Sequence, residues 1–123
     1  MINMGDRNVV GFRDGANAPT LYLYSHWGGE TQDKTLANAL RKVLEWERET
    51  DYAYATRIVI SQVIGDDWDH ATGYGITIDE HPDPDYDYIN VVDWSTGMVY
   101  RRPLDGVEQD GVPFARFIID AHK

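Results

Sequence analysis

Leu21-Tyr22-Leu23-Tyr24-Ser25-His26-Trp27-Gly28-Gly29-Glu30 is the stretch that decides the fold. Leu21 and Leu23 project to one side of an extended chain, and Tyr22 and Tyr24 project to the other. Both rows are bulky, so both faces of this strand are expected to be covered, as in an inner strand. Gly28-Gly29 ends the extended run, and helix signals follow at once. Thr31 is a candidate N-cap, and Asp33 puts negative charge in the first turn, where free N–H groups favour it. Leu36, Leu40, Val43 and Leu44 recur at i, i+4, i+7 and i+8, which predicts one apolar stripe on a helix over 31–49.

The same reading extends outward. Val9 to Phe12 is a short strand, joined to the next by the turn Arg13-Asp14-Gly15-Ala16-Asn17-Ala18-Pro19. Beyond the first helix, Asp51 could cap a second. Tyr52, Thr56, Val59 and Val63 keep helical spacing, with Gly65 as the stop. Ile58, Val59, Ile60, Val63 and Ile64 are β-branched and pull toward strand. Helix is the reading adopted for 52–64, with strand as its alternative. Tyr74 to Ile78 is a strand, Asp79 to Asp85 a loop broken by prolines, and Tyr86 to Trp94 the strongest β signal. Ser95-Thr96-Gly97 turns it into Met98 to Arg102. Pro113 opens a last helix, with Phe114, Phe117, Ile118 and Ala121 on one face. The order β-β-α-α-β-β-β-α predicts a single α+β domain over residues 1–123. It would have a mostly antiparallel sheet of about five strands, with two to three helices on one face.

The chain has 123 residues, no cysteine and a formal charge of −10. Absence of cysteine excludes disulfides and thiolate metal sites. No apolar run approaches a membrane span, and the N-terminus has no apolar signal core, so a cytoplasmic protein is expected. The charge is unevenly placed. Residues 66–100 carry nine of the 21 acidic residues and no Lys or Arg, while the rest of the chain is close to neutral. That segment would repel phosphate, so direct nucleic-acid binding is not expected.

Three groups of residues could carry function. His26, Trp27, Gly28 and Gly29 could form a small cradle for an anion or nucleotide. Glycines admit a close backbone, a helix N-terminus offers N–H groups, and Trp27 could stack on a ring. The plainer reading is a turn device with Trp27 in the core. Neither GxGxxG nor GxxxxGK[ST] occurs. Asp83, Asp85 and Asp87 would share one side of an extended segment. Without a nearby base they would repel one another and could attract a hard cation, but neither the EF-hand spacing nor HExxH is present, and no metal or other cofactor is expected. Asp83, Asp85, Tyr86, Asp87 and Tyr88, with Trp94 and Tyr100, combine acids with aromatics. They form a candidate protein-facing surface in which aromatics anchor and acids steer toward a basic partner; the alternative is aromatics covering the sheet beneath the helices. Arg101 and Arg102 are expected to pair with the acidic strand across the hairpin. Ser25 and His26 are adjacent and point to opposite faces, so they make no nucleophile–base pair. No catalytic residue is assigned.

Tyr22-Leu23-Tyr24-Ser25-His26-Trp27-Gly28-Gly29, Thr56-Arg57-Ile58-Val59-Ile60-Ser61-Gln62 and Thr72-Gly73-Tyr74-Gly75-Ile76 together resemble a group of small uncharacterised proteins encoded mainly by bacteriophages of actinobacteria. The resemblance spans roughly residues 9 to 100, and the His-Trp-Gly-Gly block is its most specific part. It carries no catalytic residues over. It implies a phage accessory protein in the host cytoplasm. The acidic and aromatic surface, with no catalytic constellation beside it, leads to the expectation that the protein acts without catalysis by binding a host protein or itself, with a DNA-mimicking acidic surface as one version. The alternative is a small-molecule or nucleotide-binding protein, or a small enzyme, built on the His-Trp-Gly-Gly turn.

Overall fold

The first two strands, β1 (Asn8–Arg13) and β2 (Leu21–Ser25), form an antiparallel hairpin with Val10 opposite Leu23. The computed structural model describes residues 5–123 of the chain. After β2 a single 3-10 turn leads into α1 (Gln32–Glu45), then α2 (Tyr52–Ile64). The chain returns as β3 (Tyr74–Ile78), β4 (Tyr88–Asp93), β5 (Met98–Pro103) and the two-residue β6 (Val112–Pro113), and closes with α3 (Phe114–Ala121). The spatial order is β3-β2-β1-β4-β5-β6. Neighbours are antiparallel except β1 and β4, which run parallel with Gly11 opposite Val91. This is the expected α+β fold with a mostly antiparallel sheet, but the sheet has six strands instead of five. The sixth, β6, is too short to leave a period in the sequence.

Alternation along the strands sorts the apolar residues into two layers. Val10, Phe12, Leu23, Val92, Trp94 and Val99 face the helices and join the buried stripes of α1, α2 and α3 in the main core. Among the described residues no helix covers the opposite face, yet Val9, Ile89 and Val91 on it are fully buried. Tyr22, Tyr24 and Tyr100 lie over them. The two rows of β2 therefore face two different cores, and β2 is an inner strand as its sequence predicts.

Residues 52–64 are helical despite their β-branched content. Ile58, Val59, Ile60 and Ile64 are buried in the core that α2 shares with the sheet and α1, and that burial outweighs a small difference in propensity. Helix α1 is four residues shorter at its end than the sequence predicts. Glu47 adopts a left-handed φ of 54°, and Arg48 and Glu47 donate to Val43 and Leu44 carbonyls. That is a Schellman-type stop with glutamate where glycine is usual.

Two irregular segments cover the helix-free face. Strands β3 and β4 run in the same direction, so the chain between them must cross back. Asp79 N–H bonds Thr20 at one end of the sheet and Asp85 N–H bonds Arg7 at the other. Between them the ring of His81 sits 4.9 Å from that of Tyr22, and Pro84 is buried. The acidic loop is thus a crossover strap, anchored at both ends. The β5–β6 connection supplies Glu108, which accepts from Arg13 Nη1 and Nη2 at 3.1 and 3.0 Å and from Arg102 Nη2 at 3.2 Å. Arg102 Nη1 also donates to Tyr22 Oη at 2.7 Å, and the Arg13 guanidinium lies over the Tyr100 ring.

Asp93 belongs to this network and not to a solvated acidic run. It is 1% exposed, and it accepts from Arg13 Nε at 2.9 Å and from the backbone N–H groups of Gly15 and Ser95. Burial alone would raise its pKa, but the bonds from Ser95, Arg13 and Gly15 outweigh it and hold the carboxyl below its usual range. Arg101 and Arg102 do not pair with the acidic strand as expected. Arg101 reaches Asp33 on α1 at 2.6 Å, and Arg102 reaches Glu108.

Candidate functional site

The His-Trp-Gly-Gly turn is built around a carboxylate from elsewhere in the chain. Gly28 has a φ of 85°, which bends the chain away from β2. Gly29 is buried, and a Cβ there would strike the Tyr86 ring and the Asp6 carbonyl. Gly28 N–H and Glu30 N–H then donate to Asp6 Oδ2 and Oδ1 at 3.2 and 2.9 Å, and Gly29 N–H donates to the Asp6 carbonyl at 2.9 Å. Tyr86 Oη donates to the same carboxylate at 2.6 Å. The backbone N–H groups that the sequence offered to an outside anion at this turn are thus bonded to Asp6. The Tyr86 hydroxyl bond holds Asp6 below the usual carboxylate range, and the same bond pushes Tyr86 up to about 12.

Trp27 is not in the core. It is 59% exposed, its indole leans on Gly73, and its carbonyl accepts from Asn8 Nδ2 at 3.0 Å. His26 is exposed, with its N–H bonded to the Gly73 carbonyl and Nδ1 lying 3.1 Å from Tyr24 Oη. Trp27 and Gly28 form part of the mouth of a cavity of about 160 Å³ between the sheet and the start of α1. His26 and Gly29 lie outside it.

The cavity holds the polar residues that sequence reading did not single out. Ser25 at the end of β2, Gln32 at the start of α1 and Asn90 in β4 line it, exposed by 2, 7 and 2%. Ser25 Oγ, Gln32 Nε2 and Asn90 Oδ1 have no hydrogen-bond partner among the described residues. Ser25 and Asn90 were legible in one respect. Each sits in an otherwise apolar, core-facing row, Ser25 after Leu21 and Leu23, and Asn90 before Val92 and Trp94. Gln32 left no signal, because a glutamine in the first turn of a helix ordinarily faces water.

The acidic and aromatic segment is used mainly inside the molecule. Asp85 accepts from Arg7 N, Nε and Nη2 at 2.8, 3.0 and 2.8 Å. The Arg7 side chain holds its pKa down at about 2. The expected row of three carboxylates with no nearby base is therefore broken by Arg7. Tyr86 is tied to Asp6, and Tyr88 bonds Asp33 at 3.2 Å beneath the Arg101 guanidinium. Only Asp83 and Asp87 of this group present carboxylates that are exposed and without a hydrogen-bond partner among the described residues. Trp94 is buried on the helix side, and its Nε1 donates to Thr56 Oγ1 at 2.8 Å. Among the described residues no cluster of three His, Asp or Glu could hold a metal, and no helix is long and apolar enough to cross a membrane.

The apolar surface lies elsewhere. β3 is an edge strand without charged side chains; Ile76 is 52% and Ile78 is 66% exposed. Trp68, 58% exposed, shares a shallow groove with Ile76. No known protein family, curated protein or solved structure gives a match to this chain.

Proposed function

We propose that this chain is a phage accessory protein of the host cytoplasm that acts by binding protein, without catalysis, and that its first partner is a second copy of itself. The observation that carries this reading is the β3 edge. Open edges are usually blunted by charge, proline or bulges, because unpaired N–H and C=O groups invite another strand. Tyr74-Gly75-Ile76-Thr77-Ile78 has none of these devices. An antiparallel pairing centred on Ile76 would set Ile76 against Ile76 and Tyr74 against Ile78 of the second copy. The strand is thus complementary to itself, as a two-fold contact requires. Trp68 would widen the apolar contact beyond the strand.

Sedimentation velocity tests this. The expected result is a dimer that strengthens with salt, because two bodies of charge −10 repel and salt screens that repulsion. The double variant Ile76→Lys, Ile78→Lys should be monomeric with an unchanged circular dichroism spectrum. A wild-type chain that stays monomeric at high concentration and high salt defeats the reading.

A second reading rests on Asp83 and Asp87. They stand on a strap fixed at both ends and could steer the protein to a basic host partner. Such a complex would weaken with salt, the opposite sign, and would be lost on Asp83→Asn with Asp87→Asn. The DNA-mimic version would have to act without Asp85, whose charge Arg7 offsets.

A further inference from the structure

The corner between α1 and α2 holds cations that the rest of the molecule does not use. Most Lys and Arg side chains pair with a carboxylate, whereas among the described residues Lys34, Arg41, Arg48 and Arg57 have no such partner. Arg48 and Arg57 line one open hollow of about 590 Å³ with Trp46, Tyr54 and Ile58. Local structure brings them together. Trp46 follows α1 directly, and the left-handed Glu47 turns the chain. Arg48 is held at the corner through its backbone: its N–H donates to the Val43 carbonyl and its carbonyl accepts from Asp51 N–H, both at 3.0 Å. Tyr54 and Arg57 stand at i and i+3 on α2 and so share a face, beside the buried Ile58.

The functional groups here are adjacent and open to solvent. Arg48 Cζ lies 5.9 Å from the centre of the Tyr54 ring, and Lys42 Nζ lies 5.4 Å from that of Trp46. Trp46 is 51% and Tyr54 58% exposed, and both arginines are exposed.

That chemistry defines a ligand. A guanidinium forks onto a carboxylate or phosphate, and two of them at one hollow suit a phosphate, whose charge of about −1.5 to −2 exceeds that of a carboxylate. An exposed indole and phenol offer flat faces to a planar ring. A nucleotide carries both parts, and the volume falls within the roughly 300–1,000 Å³ of small-molecule sites. A polymer is disfavoured. Glu45, Glu47, Glu49 and Asp51 stand around the same corner, although none of them lines the hollow, and the chain as a whole carries −10. A long polyanion would run into that charge, whereas a short one meets the arginines.

We propose that this hollow binds a free nucleotide, its phosphate held by Arg48 and Arg57 and its base stacked on Trp46 or Tyr54.

Titration calorimetry of the full chain at low salt against the common 5′-monophosphates, their nucleosides, inorganic phosphate and a single-stranded oligonucleotide tests this. At least one monophosphate should bind one per chain, with its nucleoside and inorganic phosphate each about tenfold or more weaker. Binding should weaken as salt rises, because the attraction is between exposed charges. Arg48→Gln with Arg57→Gln should lose binding about tenfold or more with an unchanged circular dichroism spectrum, since both side chains are exposed. The indole N–H of Trp46 or the ring of Tyr54 should shift in nuclear magnetic resonance spectra on adding the nucleotide. No residue of β3 lines the hollow, so Ile76→Lys with Ile78→Lys should bind like the wild type, whatever its oligomeric state. The proposal is overturned if no monophosphate binds at millimolar concentration, if the nucleoside or phosphate alone binds as well, or if the double arginine variant binds like the wild type. An oligonucleotide that binds more tightly than the free nucleotide overturns it equally.

Discussion

Asp6 shows how one side chain can turn an apparent ligand seat into a structural joint. A strand end, two glycines and a helix start are enough to read backbone N–H groups waiting for an anion. What fills the seat was not legible, because Asp6 lies 22 to 24 residues earlier in the chain and nothing local marks it. Tyr86, 80 residues away from Asp6, is equally hidden. The pair makes a clear prediction. Tyr86 is held near 12, above its ordinary 10.0, so the folded chain keeps that proton more firmly than the unfolded one. The contribution is therefore whole below pH 10.0 and is lost as pH rises through about 12. Ultraviolet titration of the native protein should show a tyrosine ionising later than the main group. In Asp6→Asn that late step should move back toward the ordinary range, because a neutral amide is a weaker acceptor than a carboxylate. Identical titration curves for the two proteins would show that the bond does not form in solution.

At the scale of elements, most of the chain was readable, since buried stripes and alternation leave periods in the sequence. The start of β3 and the stop at Gly65 were placed correctly for that reason. The two straps were not readable as such. A crossover without regular structure has no period, and the prolines of Asp79 to Asp85 read equally well as a loose loop. The end of α1 escaped notice because its left-handed residue is Glu47, and glycine is the usual marker. That exception predicts a gain. Glu47→Gly removes the steric cost of a left-handed L-residue, roughly 1 kcal/mol, partly offset by the greater freedom of glycine in the unfolded chain. Urea unfolding should show a net stabilisation of about 0.5 kcal/mol with an unchanged slope. Glu47→Ala, which keeps a Cβ at φ 54°, should show no such gain.

For the whole molecule, net charge and stability part company. A formal charge of −10 suggests that acid should relieve repulsion and stabilise the fold. The partnered carboxylates argue the reverse. Asp6 is lowered by Tyr86, and Asp85 by Arg7 to about 2. In Asp93 and Glu108 burial pushes upward, but the bonds from Ser95 and Arg13, and from Arg13 and Arg102, prevail and leave both below their usual range. Each group binds its proton less readily folded than unfolded. Its contribution is therefore present above the unfolded value, 3.8 for the aspartates and 4.5 for Glu108, and is lost as pH falls through the folded value. The urea midpoint should stay nearly flat from neutrality to about pH 5 and then fall steadily toward about pH 2. The sequence placed Asp85 and Asp93 in the same acidic segment as Asp83 and Asp87, but their partners divide them. Asp83→Asn with Asp87→Asn deletes two unpartnered charges, so it should raise the neutral plateau slightly and leave the acid limb in place. Arg13→Met removes the cation shared by Asp93 and Glu108, and it should lower the plateau by about 3 kcal/mol, because Arg13 and Asp93 are almost wholly buried and breaking one partner of such a pair leaves the other uncompensated. If Arg13→Met instead lowers the plateau only by about half of what Asp83→Asn with Asp87→Asn adds, as one charge against two would, the carboxylates act only through their sum, and the network across the helix-free face contributes nothing of its own.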